Sequence, residues 1–532
     1  MYTPIPLLCA QEMRQCDTYT IETLGVPSQT LMERAARATI EVMRGHADCM
    51  PRVDREILVL CGSGNNGGDG FAMARFLSEE GCAVTVAYAG AWLADAPDQT
   101  RMSVECARQY RLWAAAGGVT THELPPLGGC VIVDALLGTD LRGAPRPPMD
   151  AWIRAINGSG CTVVAVDIPS GVRADNGAAY ADGRALISVD ERAVPPEAAV
   201  RADITVTMAY PKRGLVFYPG AALAGEMHIV DIGIDCRSIS PTTYLLTQEH
   251  LTMLPKRPRY ANKGTFGRLA VVGGAMGMCG ALSFAGRAAL RCGVGLCELI
   301  SDERNAAVLQ TLLPEAIFTP LPAGEAVGAV LSRADVAVIG CGMGQSATAK
   351  DTLAHLLAAA ACPLVLDADA LNIIASDDKG IYRARVRECA KKNIVVMTPH
   401  IGEAARLLHA DVATLLADLP GAAARLATEY GVICVLKDSR TVISDGQVSY
   451  VQNCGNSALS KGGAGDVLAG VIGALLCSNR HEKIAATPTL LVALGVLLHA
   501  MAGDRVAEKL GAYAPLAREL ADAAGEVLGD TK

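Results

Sequence analysis

A lysine, three glycines and an aspartate stand within residues 461–466, KGGAGD, inside the longer stretch NCGNSALSKGGAGDVLAG at 453–470. Glycines let consecutive backbone N–H groups turn inward, and a helical run starting near Asp466 adds the positive end of its dipole, so the stretch reads as a cradle for an anion such as phosphate. A carboxylate repels a phosphate unless it has a task there. Accepting a proton from a hydroxyl, or holding a metal, would justify Asp466; the plainer alternative is a glycine-rich turn with Asp466 as helix N-cap. A second glycine-rich stretch, GSGNNGGDG at 62–70, satisfies G-x-G-x-x-G after an apolar run. The acidic residue that a dinucleotide fold sets about twenty residues later is missing, since the chain there has AYAG at 87–90. Asn65, Asn66 and Asp69 are also more polar than a packing turn needs, which argues against ordinary nicotinamide redox chemistry in this half.

These groups need strands to hold them. EILVLC (56–61), CAVTVAY (82–88), CVIVD (130–134), TVVAVD (162–167) and residues 202–208 are short apolar runs separated by helical patterns, the rhythm of a doubly wound parallel sheet. Ahead of them, residues 10–45 carry helical spacing broken at Gly25, Val26 and Pro27, with Ser28 placed to cap a second helix. Ligands of such sheets bind outside the carboxyl ends of the strands. There the sequence sets Asp134, then ALLGTDLRGA (135–144), and Asp167 followed by Ser170.

Residues 236–260 break the alternation and hold several prolines, so a boundary is expected near 240, with domains at 1–238 and 245–530. A second α/β pattern follows: GRLAVVGG (267–274), an Ala-rich helix over 279–292, then DVAVIG (335–340), PLVLD (363–367), NIVVMTP (393–399) and VICVLK (432–437). Its strand ends offer Gly342, Asp367, Asp369, His400 and Lys437. His400 follows a proline in a loop, outside the apolar period, which marks it for ligand contact. Asp367 and Asp369 read as metal ligands through water or as turn formers. No G-x-x-x-x-G-K-[ST] occurs, so a nucleotide has to be held by the 453–466 stretch.

Composition narrows the class. With 532 residues, 51% hydrophobic and 19% charged, the chain is long enough for two large α/β domains and too apolar for disorder. A formal charge of −8 gives no support for nucleic-acid binding. The 18 cysteines are scattered without a C-x-x-C pair, as suits buried thiols in a reducing compartment. The start, MYTPIPLLCAQEMRQCD, lacks a secretory pattern, and the apolar run at 490–501 falls short of the ~20 residues that span a bilayer. The expectation is a buried helix and a cytoplasmic protein with no membrane partner. Ala-rich helices at 10–45 and 488–508 make a homo-oligomer the expected state, although burial within the monomer explains them equally well.

Nearly the whole chain resembles the bifunctional NAD(P)H-hydrate repair enzymes, an epimerase domain followed by a dehydratase domain. The first half does so in GSGNNGGDG (62–70), DALLGTDLRGA (134–144), DIPSGVRADNG (167–177), ADITVTMAYPKRGL (202–215) and IVDIGI (229–234). The second does so in NKGTFGRLAVVGG (262–274), GALSFAGRAALRCGVG (280–295), VLDADALN (365–372), TPHIGE (398–403) and GNSALSKGGAGDVLAG (455–470). The resemblance implies a Rossmann-like sheet followed by a ribokinase-like α/β domain.

For the first half it implies epimerisation of R and S hydrates of NADH or NADPH, with Asp167 at the reacting centre. Asn65, Asn66, Gly67, Gly68 and Asp69, with Gly138, Thr139, Asp140, Leu141, Arg142, Gly143 and Ala144, would line the hydrate site. Asn66, Asp134 and Ser170 would ligate potassium. For the second half it implies removal of water from the S hydrate with ADP and Mg²⁺, Asp466 taking the hydroxyl proton. Ala281, Gly342, His400 and Asp466 would contact the hydrate. Lys437, Asp438, Ser439, Arg440 and Thr441, with Asn456, Lys461, Gly462, Gly463, Ala464 and Gly465, would hold the nucleotide.

ADP is chosen over ATP because the fusion resembles bacterial members; residues alone do not decide it. Three departures from the usual pattern stand out: Asn262 for a histidine, Asp438 for a glycine, and Ala464 for Thr or Ser. The last two bear on nucleotide affinity. A ribokinase-type small-molecule kinase fused to a non-catalytic nucleotide-binding domain is the alternative.

Overall fold

The computed structural model describes residues 3–52, 55–481 and 486–530. The chain forms two compact units, Pro6–Pro241 and the residues from Thr242 onward, the latter joined by residues 3–5.

In the first unit, strand residues alternate between two cores. Ile57, Val59 and Cys61 face one cluster with helices Ser28–Arg44, Asn65–Glu79 and Val104–Ala115, while Leu58 and Leu60 face another with Trp152, Ile153 and Ile156 of helix Met149–Gly158. A strand covered on both faces must be apolar throughout, and Ile57–Cys61 and Val131–Ala135 are buried at every position. The sheet runs Glu226–Val230, Ile204–Met208, Thr162–Val166, Val131–Ala135, Ile57–Cys61, Val84–Tyr88 and Thr120–Thr121, with every pairing parallel. Ser28 does not cap the helix after the Gly25 break. It is the first helical residue, Pro27 holds the cap position, and the Ser28 hydroxyl donates instead to Glu105 Oε1 at 2.6 Å.

The second unit is built on an eleven-stranded sheet. Its central strands, Ile433–Leu436, Val395–Met397, Leu364–Leu366, Val336–Ile339 and Arg268–Val272, are parallel neighbours, so their carboxyl ends open on one side. Val442–Ser444 alone among the described pairings runs antiparallel to both neighbours. Residues 236–260 are more than a boundary: Thr243–Leu246 is a strand paired in parallel with Ser449–Gln452, about two hundred residues away and thus silent in any local pattern. Leu296–Ser301 was hidden by Glu298, whose charge interrupts the apolar run until tertiary structure pairs it with Arg268.

Helices Cys279–Arg291, Ala464–His481, Pro488–Leu510 and Ala517–Asp530 supply the core on one face of this sheet. Pro488–Leu510 is the one described helix long and apolar enough to cross a membrane, yet 78% of its most apolar window is buried inside the fold. It is a core helix, and its apolar face is already spent within the unit.

Candidate active sites

In the first unit, Gly62 ends the Ile57–Cys61 strand where a Cβ would lie 1.9 Å from the Leu136 carbonyl oxygen. This close approach lets the chain enter helix Asn65–Glu79 directly beside the loop after Val131–Ala135. A cavity of about 980 Å³ opens above the two turns. Asn65, Asn66, Asp69, Gly138, Thr139, Asp140, Leu141, Arg142, Ala144 and Asp167 line it. Gly67 and Gly68 do not: they are packing positions, where a Cβ would lie 1.9 Å from Gly62 O and 2.8 Å from the Met32 side chain. Gly143 turns the loop with φ +84° and is also not among the lining residues. Other wall residues were not among those predicted for the site. Helix Ala10–Thr18 contributes Arg14 and Asp17, and Arg14 pairs with Asp140 across the cavity mouth.

Asp167 follows Thr162–Val166: its backbone N–H continues the parallel ladder to Val206 O at 2.8 Å, and its left-handed φ of +68° then turns the chain out of the strand. Its carboxylate accepts from Met208 N at 3.1 Å and Thr207 Oγ1 at 3.3 Å, and it pairs with the Lys212 ammonium. Lys212 is 1% exposed and also donates to Thr207 Oγ1 and Met208 O, both at 3.1 Å. It lies within the AYPKRGL motif, but only folding shows it to be the aspartate's partner. Two further carboxyl groups crowd this pair. Burial pushes Asp17 up to about 6 against the pull of Lys212, and burial, then Asp167 and Asp17, push Asp69 well above the carboxylate range.

Asp134, Asn66 and Ser170 converge behind the cavity. Asp134 is fully buried and accepts from Ser170 Oγ at 2.6 Å, Ser170 N at 2.8 Å and Leu136 N at 3.2 Å. Burial nevertheless pushes it up to about 6, those hydrogen bonds opposing. Asn66 donates to Leu137 O at 3.0 Å, and its buried Oδ1 has no hydrogen-bond partner. An orphaned amide oxygen beside a buried carboxylate and a hydroxyl is a donor set that fits a weakly hydrated cation.

In the second unit, helix Ala464–His481 starts two residues before Asp466, so Asp466 is a first-turn residue and not the cap. Asp466, Asp367 and Cys341 bring a carboxylate oxygen or sulfur within 4.8 Å of one another. The Cys341 thiol lies beside the Asp466 carboxylate. Burial and then Asp367 push Asp466 up to about 6, while Cys341 and Lys437 oppose. Lys437 Nζ donates to Asp367 Oδ1 at 2.8 Å, with Asp367 2% exposed. Burial pulls the ammonium down, but Asp367 and Glu403 outweigh it, so Lys437 stays charged. Gly465 faces this pair: a Cβ there would sit 3.5 Å from Lys437 Nζ and 3.6 Å from Asp367 Oδ2.

The other predicted residues gather around the same strand ends. Ala281 lies beside Gly342, whose Cβ would be 3.2 Å from the alanine methyl. His400 caps helix Ile401–Leu408, its Nδ1 accepting from Gly402 N at 3.0 Å, and its ring is 54% exposed. A parallel bridge sets His400 beside Lys437, followed by half-buried Asp438, exposed Ser439 and buried Thr441.

Arg440 donates to Cys454 O at 2.9 Å and Gly455 O at 3.1 Å, which ties the 437–441 segment to the glycine loop. Asn456 is held by Asp504 through its Nδ2 at 2.7 Å, and Lys461 reaches Tyr513 O at 2.8 Å. Gly462 is exposed, and Gly463, at φ +93°, abuts Phe284. Ala464 places its methyl in the hydrophobic core. Asp504 and the buried His499 carried no signal in the sequence, because they lie on the apolar helix Pro488–Leu510 and only the fold brings that helix against the loop. Burial pushes His499 down to about 4.

Comparison with known proteins agrees with both halves. A family model described as "NAD(P)H-hydrate dehydratase" matches residues 269–524, and one described as "YjeF-related protein N-terminus" matches residues 28–214. The bifunctional NAD(P)H-hydrate repair enzyme Nnr of Moorella thermoacetica is 34% identical, with 97% of this chain and 95% of that protein aligned. The Escherichia coli protein of the same name is 35% identical, over 96% of this chain and 92% of that one. A solved ADP/ATP-dependent NAD(P)H-hydrate dehydratase from Bacillus subtilis, co-crystallised with ATP and Mg²⁺, is 30% identical over 54% of this chain and 97% of that one, with a TM-score of 0.47.

Proposed function

The chain belongs to the family of bifunctional NAD(P)H-hydrate repair enzymes, and from that premise we propose that its first unit interconverts R and S hydrates of NADH or NADPH and its second dehydrates the S form with ADP. The hydrate's C6 carries both a hydroxyl and the ring nitrogen. Reversible cleavage of either bond erases the configuration, and each cleavage needs a proton delivered and retrieved. Asp167 suits that exchange at the cavity wall, with the paired Lys212 fixing its position. The cavity of about 980 Å³ has the capacity for a dinucleotide. Asn66, Asp134 and Ser170 would hold K⁺, which would supply fixed positive charge behind the turns that shape the cavity.

In the second unit, water leaves carbon poorly, and phosphorylation makes the departing group a good one. Asp466 takes the C6 hydroxyl proton as that oxygen attacks the terminal phosphorus of ADP, and AMP departs. The N–H groups of Gly463 and Gly465, with Lys437, stabilise the charge on the transferred group. Phosphate then leaves C6 and a C5 proton is lost, restoring the dihydropyridine. Mg²⁺ would enter on the nucleotide phosphates, its natural oxygen ligands. His400, Ala281 and Gly342 border the hydrate, while 437–441 and 456–465 border the nucleotide. The free thiols of all 18 cysteines suit a reducing compartment such as the cytoplasm.

The observation that carries this reading is the placement of Asp466: a carboxylate in the first helical turn, facing a lysine, where an anion alone would be better served without it. The test is to mix the protein with acid-hydrated NADH, ADP and Mg²⁺ and follow reduced-nicotinamide absorbance. Full recovery with AMP and phosphate is expected. A stable phosphorylated product would establish a kinase instead.

A further inference from the structure

A third cluster lies on the edge of the first unit's sheet. Glu226 and His228 sit two apart on the edge strand Glu226–Val230, so their side chains share one face. Helix Ser28–Arg44 packs against this strand, and His46, just past its end, meets the pair. His46 Nε2 is 3.5 Å and His228 Nε2 3.0 Å from Glu226 Oε1, and the three atoms lie within 4.8 Å of one another. Four ligands about 2.0–2.2 Å from a tetrahedral ion stand roughly 3.3 Å apart, so two of the three separations already bracket that spacing.

Two details distinguish the cluster from a surface ion pair. His46 Nδ1 lies 2.9 Å from Val42 O, which can only accept, so Nδ1 carries a hydrogen and Nε2 is the nitrogen turned toward Glu226, free to bind a cation once its own proton is displaced. His228 Nε2 is sealed from solvent and, though close to the carboxylate, makes no aligned hydrogen bond. Two ring nitrogens and a carboxylate oxygen thus converge on one point, and the rings meet edge to face, 4.8 Å apart at 80°. We propose that His46, Glu226 and His228 bind a divalent late-transition cation of the Zn²⁺ type, which clips the end of helix Ser28–Arg44 to the sheet edge. Two imidazoles and one carboxylate suit zinc or its neighbours, with the fourth position left to water. The clip lies outside the catalytic cavity, but Leu31 and Met32 of the helix and Ile232 beyond the strand line that cavity, so metal binding would stiffen its wall.

The test is a titration of the full chain with Co²⁺, read by visible absorption, with Zn²⁺ displacement and melting temperature as companion readouts. One equivalent should give the intense visible band of a four-coordinate site, without the near-ultraviolet band of a thiolate ligand, and Zn²⁺ should raise the melting temperature. His46→Ala and His228→Ala should each weaken binding by ~10-fold or more. Glu226→Gln, on an exposed side chain whose loss does not threaten the fold, should do the same, and all three should keep hydrate repair, assayed with ADP and Mg²⁺ but without added Zn²⁺, at wild-type level. Absence of binding, a thiolate band, or binding unchanged in the three variants would overturn the proposal.

Discussion

At the scale of single residues, each candidate site turns on a carboxylate held among charged neighbours. Asp466 must be ionised to accept a proton, and burial followed by Asp367 raises it to about 6. The dehydration rate should therefore rise about tenfold per pH unit below 6 and level off above it, as read by nicotinamide absorbance. The stability sign is opposite: the folded state keeps this proton between the ordinary 3.8 and about 6, so the contribution to stability falls as pH rises through that window. Asp466→Asn removes the base with little change in shape. We expect dehydration to fall by about a hundred- to ten-thousand-fold with hydrate and ADP binding retained in calorimetry; near-normal turnover would sink the assignment. Lys212 gives a parallel test in the first unit. Lys212→Met strands the Asp167 charge, which should lower unfolding free energy by about 3–5 kcal/mol and abolish R-to-S interconversion. Adding Asp167→Asn should recover part of the stability in denaturant unfolding but none of the activity.

At the scale of elements, the glycines around Asp466 separate chemistry from packing. Gly465 looks onto Lys437 and Asp367 at ordinary contact distance, whereas a Cβ on Gly470 would lie 2.1 Å from Ala285 O on the facing helix. Gly465→Ala should keep or raise the melting temperature, since alanine favours a helix by up to about 1 kcal/mol, while its methyl fills the cradle and nucleotide-dependent turnover is lost. Gly470→Ala should lower stability by about 1–3 kcal/mol through overpacking, measured by chemical denaturation. The central strands were legible because strands buried on both faces must be apolar runs, as ILVLC at 57–61 is. Thr243–Leu246 was not: it pairs with Ser449–Gln452, a neighbour no local window contains. Ser28 and Asp466 each carried a capping signal that the fold used otherwise, one for Glu105 and one within a first helical turn, because side-chain partners from distant elements outcompeted the local role.

At the scale of the molecule, the two units each hold their own cluster of reactive groups, so the two steps should be separable. Asp167→Ala protein should stop at the S fraction of an R/S hydrate mixture, and Asp466→Asn protein should recover almost none. Mixing the two variants should restore full recovery, followed by absorbance, if the hydrate diffuses freely; failure to complement would show that one chain must carry both sites. The sequence by itself determined the doubly wound pattern, the strand-end carboxylates and the glycine loops, because backbone turns and anion cradles need particular residue types at short spacing. Asp134, Asp167, Asp466 and Asn66 were therefore visible from local motifs. Tertiary structure alone decided their partners: Lys212 for Asp167, Cys341 and Asp367 for Asp466, and Arg14 and Asp17 as cavity wall. These pairings join residues on separate elements, and the burial that shifts their charges exists only once the sheet has brought those elements together.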